Sequence, residues 1–200
     1  MQVLHKIASQ TEADRNDLFN KLQKVDFPGS RGSSSKKTDS RQTYQLKSGF
    51  LYVPAEPTII TSHLGSGMSV CLFDPKNKIG GMNHYEEPQS ASEDKAPARF
   101  GNKALEILLK MMNRAGADMS SLQAQIYGGA FNSNYSDIDI GIDNYQLARK
   151  ILDMNRIAVV ALDVGGEHGR CVSFHSTTGE SSIRPAFDLT GKYWYPYDSV

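Results

Sequence analysis

Short runs of apolar residues, alternating or continuous, follow one another along most of this chain and predict a succession of strands with two helices. Phe50 to Val53 and Thr58 to Thr61 read as strands set apart by Pro54 and Pro57. Met68 to Phe73 predicts another, ended by the turn signal Asp74-Pro75-Lys76-Asn77, and Ile79 to His84 predicts its hairpin partner. Residues 86–98 are polar, contain Pro88 and Pro97, and read as a loop. Phe100, Ala104, Leu105, Leu108, Leu109 and Met112 then line one face of a helix that stops at Gly116. Leu122, Ala124 and Ile126 alternate with glutamines, the pattern of a half-buried strand. Asn144 is placed to cap a second helix, with Leu147, Ala148, Ile151 and Leu152 facing inward. Ile157 to Leu162 predicts a continuous apolar strand, and Arg170 to His175 with Ser181 to Arg184 a hairpin around Thr178-Gly179-Glu180. Strands outnumber helices and often follow each other directly. The expected fold class is therefore α+β, with packed mixed β-sheets, sandwich-like, and helices on the outside.

The first 43 residues differ from the rest. Leu18, Leu22 and Val25 recur at i, i+4 and i+7 beside Phe19, while Asp14, Arg15, Asp17, Lys21 and Lys24 fill the other face, so a short amphipathic helix is expected. Residues 28–43 hold no apolar residue beyond a proline and cannot offset their ordering entropy, which predicts a flexible linker. The expected organisation is an extension over 1–43 and one domain over 44–200. Lysine plus arginine and aspartate plus glutamate number 22 each, so the net charge is zero and offers no electrostatic argument for nucleic acid or an anionic membrane. No apolar run approaches the ~20 residues of a membrane span, and the N-terminus lacks a secretory h-region and cleavage site. A cytoplasmic protein without membrane insertion is expected. Cys71 and Cys171, the only two cysteines, sit in apolar, strand-like runs and read as reduced, buried thiols.

Chemistry concentrates around Thr61-Ser-His-Leu64-Gly65-Ser66-Gly67 and Ile79-Gly-Gly-Met82-Asn-His84. A strand runs into a Gly-Ser-Gly turn, a second strand leaves it, and a histidine ends a third. Amide hydrolysis by a cysteine enzyme needs a thiolate, a base and backbone N–H groups to hold an oxyanion. A glycine-rich turn suits the last and His84 the second. Together with Cys71-x-x-Asp74-Pro75, Arg99-Phe100-Gly101, Gly128-Gly129-Ala130, Ile140-Gly141-x-x-Asn144, Asp163-x-Gly165-Gly166-x-x-Gly169-Arg170 and Thr178-Gly179-Glu180, this run resembles, in order, the chemoreceptor glutamine deamidase (CheD) family of bacterial chemotaxis.

The resemblance implies a CheD-like cysteine-hydrolase fold and hydrolysis of glutamine side-chain amides on methyl-accepting chemoreceptors to glutamate and ammonia. It also implies a second role, binding a CheC-type response-regulator phosphatase at the same groove. By position, His84 matches the family's catalytic base, Thr61 its third catalytic residue and Gly67 its nucleophilic cysteine, which is therefore missing here. Leu64, Gly65, Ser66, Met82, Gly128, Gly129, Gly165, Gly166 and Arg170 would form the substrate or partner groove. Tyr85-Glu86-Glu87 replaces the apolar residues usual after the histidine and puts two carboxylates near the mouth.

Replacement nucleophiles are few. Ser66 is a direct neighbour of Gly67 and points to the other side of an extended chain; Cys71 shares its parity but lies ~13 Å along. Cys171 could enter from another segment. The expectation is a non-catalytic adaptor for receptor or phosphatase, with an active deamidase using a residue such as Cys171 as the alternative. A more remote alternative is a metal-dependent nucleotidyltransferase. It rests on Gly128-Gly129 followed by Asp137-x-Asp139, two carboxylates that on a strand would share one face and hold Mg²⁺. His63, His168 and His175 show no metal spacing, and no cofactor is expected. Gly165, Gly166 and Gly169 predict a tight turn with positive φ. The aromatic tail Tyr193-Trp194-Tyr195-Pro196-Tyr197 can anchor a partner or lie across its own domain, the second being favoured.

Overall fold

The alternation in Thr58–Leu64 and the largely apolar run Met68–Asp74 build two strands that belong to different sheets, joined by the Gly65–Gly67 turn. The computed structural model describes residues 42–89 and 98–197. Nine strands are described: β1 (Gln42–Gln45), β2 (Phe50–Tyr52), β3 (Thr58–Leu64), β4 (Met68–Asp74), β5 (Ile79–His84), β6 (Gln123–Gly128), β7 (Ala158–Val164), β8 (Gly169–His175) and β9 (Ser181–Ala186). Two helices, α1 (Gly101–Arg114) and α2 (Ile140–Met154), complete the set with a single 3-10 turn at Gly191–Tyr193. The amphipathic segment and most of the expected linker lie outside the described residues. β1 starts at Gln42, so the last two residues assigned to that linker belong to a strand that pairs in parallel with β3.

One sheet runs β1-β3-β8-β9 and the other β2-β5-β4-β6-β7. Both are mixed: β1–β3 and β6–β7 are parallel, the remaining pairs antiparallel. The two sheets pack face to face over Ile60, Leu64, Cys71, Phe73, Met82, Tyr127, Val172 and Phe174. The far side of the five-stranded sheet carries Met68, Val70, Leu72 and Ile126 against Leu105, Leu108 and Met112 of α1 and Ala148 and Leu152 of α2. The α+β expectation holds, with both helices on one face of one sheet. β4 is buried along its whole length because it faces a sheet on one side and helices on the other.

Several local expectations are corrected by this layering. β6 is buried at five of its six positions, not half-buried, because it too lies between sheet and helices. β7 is largely half-exposed, being the edge of its sheet. α2 starts four residues before Asn144. Its cap is Asp139, whose carboxylate accepts from the Gly141 N–H at 3.0 Å. Asn144 instead lies fully buried within the helix. Gly165 and Gly166 have φ of 75° and 74°, as a tight turn requires. Gly169 opens β8, where a side chain would strike Leu189.

Candidate active site

Strand parity decides what meets at the end of the sandwich. On β3, Ile60, Ser62 and Leu64 are buried while Ile59, Thr61 and His63 are half-buried on the other face. On β5, Met82 lies in the inter-sheet core and His84, two residues on, shares its side. The buried faces of β3 and β5 therefore bring Ser62 to His84, with Ser62 Oγ 2.9 Å from His84 Nδ1. Thr61, matched by position to a catalytic role, points the other way, and its Oγ1 donates a long bond of 3.4 Å to the Tyr44 carbonyl. The sequence carried a signal for Ser62: it shares the parity of Ile60 and Leu64, the two bulky apolar residues that mark the inner face.

The hydroxyl of Ser62 also lies 2.9 Å from the Leu46 carbonyl oxygen, which can only accept. Its one proton goes there, so the oxygen accepts from the imidazole. Nδ1 then carries the hydrogen and Nε2 the lone pair. Nε2 is aimed at Gly67: a Cβ built on that glycine would lie 2.8 Å from Nε2 and 2.9 Å from the Tyr85 carbonyl oxygen. The geometry is that of a base directed at a nucleophile, at a position with no side chain. His84 is 3 % exposed. Burial pushes its pKa down to about 3, with the nearby His63 adding to the effect, so the imidazole is neutral at physiological pH.

The glycine-rich turns around Gly67 are stitched together by backbone bonds. Gly129 N–H donates to the Gly67 carbonyl at 2.8 Å and Ala130 N–H to that of Gly65 at 2.9 Å. Gly165 N–H donates to Gly128 O at 2.9 Å and Phe131 N–H to Gly166 O at 2.8 Å. Arg170 ties the same turns, donating to Asp163 at 2.8 Å, to Gly165 O at 2.6 Å and to Gly128 O at 3.3 Å. It is a staple of the floor, not a side chain offered to a ligand. Leu64 and Met82, expected in the groove, are fully buried between the sheets. Asn144 was not anticipated here, yet its amide donates to Glu86 O at 2.7 Å and Ser66 O at 3.4 Å, bridging the two sides of the site. The carboxylates of Glu86 and Glu87 are held by Arg99 at 3.0 and 2.9 Å.

Neither cysteine reaches His84. Cys71 is completely buried in the inter-sheet core, and that burial pushes its thiol well above the ordinary range, beyond what a Ser69 hydrogen bond offsets. Cys171 alternates with the core residues Val172 and Phe174 and so lies on the outer face of its sheet, opposite His63 and Arg184 in register. Asp137 and Asp139 are not on a strand. Asp137 sits in the loop before α2 and Asp139 caps that helix, so the two do not share the strand face on which that expectation rested. No group of three or more His, Cys, Asp or Glu residues among the described residues is arranged to hold a metal ion. No helix among them is long and apolar enough to cross a membrane.

The fold and this site can be set beside known proteins. The sequence model for CheD chemotactic sensory transduction matches residues 85–185, beginning just after His84. A probable chemoreceptor glutamine deamidase CheD 1 of Anaeromyxobacter dehalogenans is 40% identical over 146 residues, 72% of this chain and 85% of that protein. A probable chemoreceptor glutamine deamidase CheD of Sulfurimonas denitrificans is 35% identical over 142 residues, 70% of this chain and 91% of its own. This chain belongs to the CheD family. Among solved structures, the Neisseria meningitidis protein NMB0706 aligns over 78% of this chain and 70% of its own at 13% identity, with a TM-score of 0.38, a likeness too loose to carry an argument.

Proposed function

We propose that this protein serves chemotaxis chiefly by binding, as an adaptor for methyl-accepting chemoreceptors or a CheC-type response-regulator phosphatase, with little or no deamidation of its own. The observation that carries this is the aim of His84 Nε2 at Gly67. A base stands ready, and the residue it faces offers no atom to attack a carbonyl. Relatives named chemoreceptor glutamine deamidases supply the expected reaction and the receptor. The buried Cys71 and the outward Cys171 argue against a substitute thiol. Binding needs the groove and not the nucleophile. On this reading His84 is the retained base and Ser62, rather than Thr61, positions it. The protein works in the cytoplasm, where receptor signalling domains are exposed.

The test is a chemoreceptor cytoplasmic fragment incubated with this protein and with its Gly67→Cys variant, read by peptide mass for conversion of glutamine to glutamate. Conversion only with the variant is expected. The added Cβ would lie 2.8 Å from His84 Nε2 and 2.9 Å from the Tyr85 carbonyl oxygen, so the imidazole or the backbone just past β5 must shift. The variant should therefore be about 1–3 kcal/mol less stable in a urea titration while it gains turnover. Conversion by the natural chain would overturn the adaptor reading. Failure of the natural chain to bind the fragment in a pull-down would remove its receptor half.

A further inference from the structure

The turn that would meet a substrate is already covered. Gly65, Ser66 and Gly67 are all buried, and what lies over them is the chain's own C-terminal aromatic segment. Ser66 N–H donates to the Tyr193 carbonyl at 3.0 Å, and Tyr195 N–H donates to Ser66 Oγ at 3.2 Å. The tail thus satisfies both the backbone donor and the side chain of the residue next to the vacant nucleophile position. Its anchors lie on both flanks. Trp194 stacks on Tyr135 with ring centroids 5.6 Å apart and 6° between planes, and the Tyr197 hydroxyl donates to Glu86 O at 3.3 Å. Gly65 makes the approach possible: the nearest atoms to a Cβ placed there all belong to Tyr193, foremost its carbonyl oxygen.

In amide hydrolysis, a backbone N–H beside the nucleophile is where the carbonyl under attack would be held. The tail presents a carbonyl to such a donor from the end of the 3-10 turn Gly191–Tyr193, just before Trp194 takes extended geometry, and it is flanked by flat rings. The contacts it makes with the turn and its flanks are ones an external peptide can also make: an accepted backbone N–H, a donated one, a stacked ring, a phenol on a carbonyl. Resting on the CheD reading of this site, we infer that residues 190–197 are a built-in peptide ligand of the groove. An external partner is then a segment of the same kind, an aromatic-bearing turn that presents a carbonyl, and must displace the tail to reach Ser66 and His84. Intramolecular occupancy competes at an effective concentration that no free peptide at micromolar level matches, so displacement sets the apparent affinity.

The test uses the full chain and its Gly65→Ala variant, in which the new methyl meets Tyr193 of the tail first. Amide hydrogen exchange is followed at Ser66, with Val70 and Leu72 in β4 reporting on the fold. Tail eviction should speed exchange at Ser66 at least tenfold with β4 unchanged. A synthetic peptide of residues 190–197 added in excess should not restore protection to this variant, whose methyl blocks the carbonyl. It should restore protection in a Trp194→Ala chain, whose turn is intact. A chemoreceptor cytoplasmic fragment should bind Trp194→Ala about tenfold more tightly than the natural chain. If Trp194→Ala loosens β4 as well, Tyr135→Ala removes the same stacking from a half-exposed position and replaces it. Unchanged exchange at Ser66 in both variants, or equal fragment affinity with and without the anchor, would make the tail a fixed part of the fold and overturn the inference. A fragment that binds none of the chains counts against receptor binding, whereas the peptide and exchange results still decide the tail.

Discussion

The two ends of β4 are both buried and both rich in hydrogen bonds, yet they are built to different ends. At the far end the Asp74 carboxylate accepts from Lys76 N–H at 2.9 Å, Asn77 Nδ2 at 2.8 Å, Asp118 N–H at 2.7 Å and Ser121 Oγ at 2.5 Å. These four bonds join the β4–β5 turn to the segment after α1 and use the carboxylate's whole accepting capacity. Burial raises the pKa of Asp74, but the four hydrogen bonds outweigh it and hold the carboxyl below its usual range. At the near end, His84 uses one nitrogen to be held by Ser62 and directs the other at a glycine. The cover there comes from residues 129 positions away in sequence, as in the bond from Tyr195 N–H to Ser66. The lesson is that the far end saturates its polar group, whereas the near end holds one polar atom in place and leaves another aimed at a glycine.

The strongest way to break this contrast is Asp74→Ala. Stripping four partners of their buried acceptor should cost about 3 kcal/mol or more in a urea titration. A cost under about 1 kcal/mol would mean that the saturated end is no structural knot.

Acid separates the two ends by pH window. The unfolded chain protonates His84 near its ordinary 6.5 and the folded chain only near 3, so the unfolded state binds the proton first. Stability should therefore fall as pH drops from 6.5 towards 3, by at most about 1.4 kcal/mol per pH unit. Asp74 has the opposite charge and adds its loss lower, as pH falls below its ordinary 3.8 and the bonded carboxylate is finally protonated. A His84→Gln chain should flatten the upper window alone, measured as urea stability at steps of pH. An unchanged slope above pH 4 would show that the buried imidazole does not govern it.

The smallest effect sharpens the site itself. Ser62→Ala leaves both the imidazole N–H and the Leu46 carbonyl without a partner and should cost about 1–2 kcal/mol. Thr61→Val, on the half-exposed face, should stay within about 0.5 kcal/mol. Equal costs in thermal melts would mean that strand parity is not what selects the residue beside His84.

Much of the fold was legible because burial leaves a local trace. Apolar runs bounded by Pro54, Pro57 and Asp74-Pro75 placed the first strands, and the Leu105–Leu108–Met112 face placed α1. The Gly65–Gly67 turn and His84 were legible as one frame, and the fold brings Gly67 and the imidazole face to face. The sequence misled where a residue's role depends on which face is inner. Thr61 and Ser62 are neighbours, and only the packing of β3 against β5 tells which hydroxyl meets the imidazole. Asn144 has the composition of a helix cap, but Asp139 starts the helix earlier and leaves Asn144 to bridge Ser66 and Glu86 from within it. Asp137 and Asp139 had the spacing of metal ligands only on a strand that does not form.

By itself, then, the sequence determined the family, the α+β class, the glycine-rich turn and the histidine that ends β5, because each rests on residue type and short spacing. The tertiary structure alone decided which hydroxyl orients that histidine, that Arg170 staples the floor, that Cys71 is sealed in the inter-sheet core while Cys171 faces outward, and that the chain's own tail lies over the turn. Those are contacts between segments far apart in the chain. They are set by sheet register and by which face packs inward, and a single strand's alternation offers two faces without saying which one the rest of the fold will cover.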